Sequence, residues 1–313
     1  MGYLYKKFFT TENKKAYQLV MQNLNYDLKK AQRFCDKNRV IIFKNNVSKK
    51  LENTLNIEEI NLTDIEICKK NSIICGEYYL LIYECVSNNL KPIFENEYFA
   101  IFNKPSGVLS HPNGRNCEYS LNDEIWQKYG ENASVAHRLD AATSGLIMVA
   151  KTKTANKELK ELFAKQKIHK EYLALVCGNI KNDFCVSARL KNDDDLKNKM
   201  QVSIDGKISQ SEFIVIKNYP KYTLLKAIPL TGRQHQLRVH LHYVGNKIAG
   251  DNLYGLTNKQ ARDILDKKIS NIKELCGASR LCLHSARLKF TYKNQDYDFF
   301  NDDIENEFLG AIK

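Results

Sequence analysis

A carboxylate that does covalent work must be held by rigid backbone, kept near a cation and left open to a substrate. The stretch HRLDAATSGL, residues 137–146, offers such a group in Asp140. Asp140 follows Arg138 by two positions and precedes a run of small residues ending in Gly145, which lets something approach closely. On position alone, Asp140 reads equally as a helix cap or a salt bridge. A second stretch shifts that balance. LTGRQHQLRVH, residues 230–240, places Arg233 just after a Thr-Gly turn. If Arg233 meets Asp140, the pair keeps the carboxylate ionised inside an otherwise dry pocket.

Other candidates carry less. His235, His240 and His242 cluster in sequence, but on a helix residues 240 and 242 point about 200° apart, and no H-E-x-x-H pattern occurs. No metal is expected. Ser144 lacks the G-x-S-x-G surroundings of an esterase nucleophile and reads as a turn or cap residue. No phosphate-loop glycine pattern is present in GVLSHPNG either.

The elements that must position Asp140 are mostly strands. GLIMVAK, directly after the small residues, is an apolar run suited to a strand buried on both faces. YFAIFNKPSG alternates and stops at Pro105 and Gly107. KEYLALVCG, SEFIVIKN and YTLLKAIPL read as further strands, and RLCLHSARLKFTY as a strand pair. TANKELKELFAKQ is an amphipathic helix with Leu159, Leu162 and Phe163 on one face, and HQLRVHLHYVG is a helix ended by Gly245. KNDDDLKNK is a solvated loop. Residues 1–90 differ: they hold no Pro, only two Gly, 14 Lys and Arg and 10 Asp and Glu. DLKKAQRFCDKNRVIIF reads there as a short basic helix running into a strand, in a small α+β module. SNNLKPIFENE has linker composition and sets a boundary near residue 90.

Bulk composition limits the partners. The chain has 313 residues, 43% hydrophobic and 27% charged, which is globular. No apolar run approaches the roughly 18 residues of a membrane span. The first residues lack the apolar core of a secretory signal, and Lys6 stands where a myristoylation site at Gly2 would need Ser or Thr. Nine cysteines, odd in number and never spaced C-x-x-C, fit reduced thiols in a cytoplasmic protein. A net charge of +12 suits a polyanion, although lysine- and asparagine-rich coding bias produces the same excess.

With these residues in hand, HRLDAATSGLIMVAK resembles the signature of the RluA-type pseudouridine synthases. FNKPSGVLSHP (102–112), KEYLALVCG (170–178), TGRQHQLRVH (231–240), IAGDNLYG (248–255) and LHSARL (283–288) follow that family in order. Two departures occur: Ser285 stands where the family has Ala, and a His-Pro after the last strand is missing. The resemblance implies an α+β fold, with a mixed, mostly antiparallel catalytic sheet over residues 89–313. It also implies isomerisation of RNA uridines without a cofactor. Asp140 then matches the catalytic aspartate, Arg233 its ion-pair partner and Tyr172 the ring against the flipped base. Arg138 would enter the vacated stack, with His137 beside it and Leu283 as an apolar wall of the pocket.

Residues 1–88 are similar in outline to the small RNA-binding domain of the ribosomal-protein S-four type. Lys29, Lys30 and Arg33 lie on its basic helix, and Asn38 replaces the usual glycine turn. The implied substrate is large-subunit (23S) ribosomal RNA, acted on by a cytoplasmic monomer with no membrane partner. A tRNA synthase, or a non-catalytic assembly factor of the same fold, is the alternative.

Overall fold

The computed structural model describes residues 3–44, 53–56, 60–112, 119–196, 199–266, 268–269 and 271–312. Of the features named above, Gly2, Asn113 and Gly114 of GVLSHPNG, Cys117 and residues 197–198 lie outside them. The chain forms two compact units: Met1–Asn88 with Pro112–Tyr119, and Asn89–His111 with Ser120–Lys313.

In the first unit, β1 (Tyr3–Lys15) leads into α1 (Ala16–Leu24) and α2 (Leu28–Asp36). Strands β2 (Val40–Phe43), β3 (Thr54–Asn56), β4 (Ile65–Ile67) and β5 (Ile73–Tyr83) complete an antiparallel sheet in the order β3-β1-β5-β2-β4. The Asp27 carboxylate accepts the Lys30 N–H at 2.7 Å and starts α2. Asn25 and Asn38 take left-handed backbone, φ 51° and 58°, to turn the chain at the ends of the two helices. Leu19, Val20, Ala31, Phe34 and Cys35 pack the helices on Val40, Tyr78 and Leu80 of the sheet. This leaves Lys29, Lys30 and Arg33 on the exposed face of α2.

The second unit opens with β6 (Pro92–Glu95) and β7 (Phe99–Lys104), then α3 (Leu121–Tyr129), β8 (Ser134–Val135), β9 (Ser144–Ala150) and α4 (Lys153–Ala164). Next come β10 (His169–Cys177), β11 (Phe184–Asn192), β12 (Met200–Val202), β13 (Lys207–Asn218) and β14 (Tyr222–Pro229). After α5 (Gln236–Tyr243), α6 (Asn258–Leu265) and α7 (Ile272–Cys276), the chain finishes with β15 (Leu283–Tyr292), β16 (Gln295–Phe300) and α8 (Glu305–Ile312). The sheet runs β12-β11-β13-β14-β10-β15-β9-β7-β6, with β16 on β15 and β8 on β9.

All seven residues of β9 are buried. Leu146, Met148 and Ala150 enter one core layer, while Ile147 and Val149 enter the other. The neighbouring β7 does the same, with Phe99 and Ile101 on one side and Ala100 and Phe102 on the other, so the expected alternation there is absent. Two further expectations change. RLCLHSARLKFTY contains one long strand, β15, because its hairpin partner β16 begins only after the Lys293-Asn294 turn. The linker-like segment near residue 90 contains β6, which pairs with β7.

The sheet is antiparallel except between β9 and β15, which run parallel through His284↔Ser144 and Ser285↔Gly145. Gly145, at φ 109°, is needed there, because a β-carbon would collide with the Ser285 backbone. Ser144 is accordingly the first residue of a strand, not a turn or cap. Its hydroxyl meets His284 Nδ1 at 2.8 Å and accepts from Arg280 Nη2 at 2.6 Å.

Candidate active site around Asp140

Asp140 stands in the loop between β8 and β9, and the FNKPSGVLS segment after β7 holds that loop. Ser110 Oγ donates to the Leu139 carbonyl at 2.8 Å and accepts the Leu139 N–H at 3.2 Å. Gly107 N–H donates to the Ala141 carbonyl at 2.8 Å, and Ser106 Oγ to that of Ala142 at 2.7 Å. Lys104 is fully buried, and its ammonium reaches the carbonyls of Pro105, Val108 and Ala141 at 2.9, 2.7 and 3.0 Å. Burial pulls the Lys104 pKa down to about 7, against the opposing charge of Asp140. Leu139 anchors the same loop in the core. The result is an aspartate whose backbone is fixed on both sides, at Leu139, Ala141 and Ala142.

Arg238, not Arg233, is the cation at Asp140. Its Nη1 donates to Asp140 Oδ2 at 3.3 Å. Its other edge clasps Asp251, Nε to Oδ2 at 2.8 Å and Nη2 to Oδ1 at 2.7 Å. Arg238 is 3% exposed and Asp251 is 0%. Burial alone would disfavour both charges; the mutual attraction outweighs it, raising the arginine pKa and lowering the aspartate one. Arg233 sits before α5 begins, exposed, with Nε donating to the Ile208 carbonyl at 3.1 Å. The correction has a geometric cause. Each residue along α5 rotates by about 100°, and Arg238 lies on the turn that faces inward.

A third group completes the surroundings. His235, in left-handed backbone at φ 53°, brings Nε2 to 3.6 Å from Asp140 Oδ2. The buried Tyr254 hydroxyl accepts the Met200 N–H at 3.0 Å and shares a second hydrogen bond, also of 3.0 Å, with His235 Nδ1. Tyr254 also lies 5.2 Å from the Arg238 guanidinium.

Tyr172 on β10 is half-buried and packs against both neighbouring core layers. Burial, helped by the Asp140 charge, pushes its hydroxyl up to about 12. Arg138 is exposed. His137, expected at the RNA, instead turns inward: Nε2 accepts the Met148 N–H at 3.1 Å, and the ring lies 4.4 Å from Phe163. Burial and the Lys170 charge press its pKa to about 3, so it serves as a neutral backbone acceptor. Leu283 is 4% exposed, paired with Ala174 and packed in the core, so it does not form an open wall. Sequence reasoning passed over Arg238, Asp251, Tyr254 and Lys104, and weighed His235 only as a metal ligand. The signal that marks them is a charged or polar residue embedded in a buried run, as in QLRVHL, where all six residues are buried.

The family model described as RNA pseudouridylate synthase matches residues 98–243. An uncharacterized RNA pseudouridine synthase of Helicobacter pylori is 34% identical over 303 residues, 95% of this chain and 94% of the relative. The chain belongs to the RNA pseudouridine synthase family. The Vibrio vulnificus ribosomal large subunit pseudouridine synthase C is 34% identical over 206 residues, 64% of this chain and 61% of its own. In fold, human RNA pseudouridylate synthase domain containing 1 superposes with a TM-score of 0.57 at 23% identity, over 72% of this chain and 86% of that one. The family match takes in Asp140, Tyr172, Arg238 and the Lys104 clamp. Asp251 and Tyr254 lie just beyond it. Among the described residues, no helix is long and apolar enough to cross a membrane.

Proposed function

We propose that this pseudouridine synthase isomerises uridines of large-subunit (23S) ribosomal RNA, with Asp140 as the reacting group. The observation that carries the reading is the state of Asp140: fixed in backbone, contacted on one side by Arg238, and still 27% exposed. The reaction breaks the bond from ribose to uracil nitrogen, turns the base and rejoins it through carbon, so atoms and electrons balance within one nucleotide. The base must first leave the stack, at a cost of a few kcal/mol. Tyr172 offers a ring to the extruded base, and the exposed Arg138 fills the gap. Relatives named for the ribosomal large subunit favour that RNA over tRNA.

The first unit supports the same substrate. An α1–α2 pair followed by strands, with Lys29, Lys30 and Arg33 outward, suits an S-four-like module that grips phosphates. The test is incubation of wild-type protein with unmodified 23S and tRNA transcripts, followed by mapping of pseudouridines at nucleotide resolution. Product confined to the tRNA would sink the ribosomal reading. Tight binding with no product in either RNA would favour a non-catalytic assembly factor.

A further inference from the structure

Two lysines of the catalytic unit are drawn out of solvent, and their ammonium groups meet opposite fates. Lys104 has its three protons on three carbonyls. Lys170, at the start of β10, is half-buried, and among the described residues no group accepts a hydrogen bond from its Nζ. Burial by itself lowers its pKa, with no neighbouring charge in opposition. Lys170 precedes Tyr172 by two residues on β10, roughly 7 Å along the strand, with an irregularity of the β10–β15 pairing between Glu171 and Tyr172. Glu171, between them, is spent on His169 at 2.8 Å, Arg287 at 3.0 Å and Lys226 at 3.6 Å.

What Lys170 faces is informative. A β-carbon on Gly232 would stand 3.9 Å from its Nζ, so the ammonium looks at the exposed Thr231–Arg233 turn. Its charge also reaches His137, the neighbour of Arg138. Holding a cation away from water without a partner costs stability, and the cost is recovered when an anion arrives. An ammonium makes no planar demand and suits a single phosphodiester oxygen.

We infer that Lys170 seats a backbone phosphate of the RNA beside the uridine under attack, with Arg138 and Arg233 as its exposed flanks. This rests on the RNA-isomerase reading of Asp140. Lys170→Met and Lys170→Arg are compared with the wild-type full chain on the 23S transcript, by filter binding across salt concentrations, by single-turnover product formation and by thermal melting. Lys170→Met is expected to weaken binding about tenfold and to reduce the salt slope by about 0.7–0.9. Its single-turnover rate at sub-saturating enzyme falls about tenfold with the affinity, and its Tm rises, because the unpaired cation is gone. Lys170→Arg keeps the slope.

A Lys170→Met protein that melts higher yet binds with unchanged affinity and slope overturns the assignment. Equal loss of slope in both variants overturns it too, since shape and not charge would then be responsible. If the Met variant does not fold, Lys170→Gln takes its place in the same comparison. Failure of wild type to make pseudouridine in any RNA would instead count against the isomerase reading, and the binding arm would still report on Lys170.

Discussion

Arg238 stands between two carboxylates whose loops are built to opposite ends. Asp251 is wholly buried and fully used, taking two hydrogen bonds from Arg238 and the N–H groups of Leu253 and Tyr254 at 2.9 and 3.0 Å. Asp140 is 27% exposed and takes one longer bond of 3.3 Å from the same guanidinium. A satisfied carboxylate orients its neighbour; one with lone pairs to spare can meet a substrate. The Asp140 loop is pinned through its backbone by the Lys104 clamp, so that the Asp140 side chain is left open.

Asp140→Asn strains this contrast hardest. It should cut pseudouridine formation roughly a thousandfold or more while shifting Tm by less than about 4 °C. Tritium release from RNA containing 5-tritiated uridine measures the first and calorimetry the second; product within about tenfold of wild type removes Asp140 from the chemistry. Asp251→Asn should show the opposite balance, a stability loss of about 3–5 kcal/mol in urea, because Arg238 is left buried and half-paired. A change under about 0.5 kcal/mol would mean that Asp251 is no anchor.

The two arginines come next. Arg238→Lys loses the planar two-edged contact and should lower the single-turnover rate about a hundredfold, whereas Arg233→Ala should leave it within about threefold. The reverse ranking would return Arg233 to the carboxylate.

A pH series separates buried neutral groups from these ion pairs. Burial depresses the pKa of His137 to about 3 and those of His240 and His284 to about 4. Unfolded chains take up those protons near the ordinary value of about 6.5. The unfolded state therefore binds more protons below that value, and stability falls as pH drops from there toward 4. Urea midpoints should decline steadily from pH 7 to pH 5, and flat midpoints would contradict the buried neutral assignment. The smallest effect is expected at the exposed end of the charge range. Replacing Lys29, Lys30 and Arg33 by Ala together should reduce the salt slope of RNA binding by about 2–3 and leave the saturated rate alone. Identical slopes would remove α2 from the interface.

Much of the scaffold is written locally. Seven consecutive apolar or small residues after Thr143 dictate a strand buried on both faces, and β9 is one. The Leu237 and Leu241 spacing dictates α5, and Asp27 with the apolar spacing behind it dictates α2. These follow from periodicity and capping, which are properties of short segments. Asp140 itself was visible as a carboxylate beside small residues and an arginine.

Which arginine faces it was not. Arg233 and Arg238 are five residues apart in one segment, and moving the start of α5 by a single residue swings every side chain by about 100°. His235, in left-handed backbone, sets that start, and its ring is held by the Tyr254 hydroxyl, which arrives from a later segment. The same holds for the two lysines. Lys104 and Lys170 each lie in a strand-forming stretch, yet only the crossing of the 105–108 and 140–142 loops gives the first its three carbonyls. Sequence specified the elements because their hydrogen bonds and apolar periods close within the segment. Tertiary structure chose the charge partners, because a buried charge is stabilised only by groups that arrive from elsewhere in the chain.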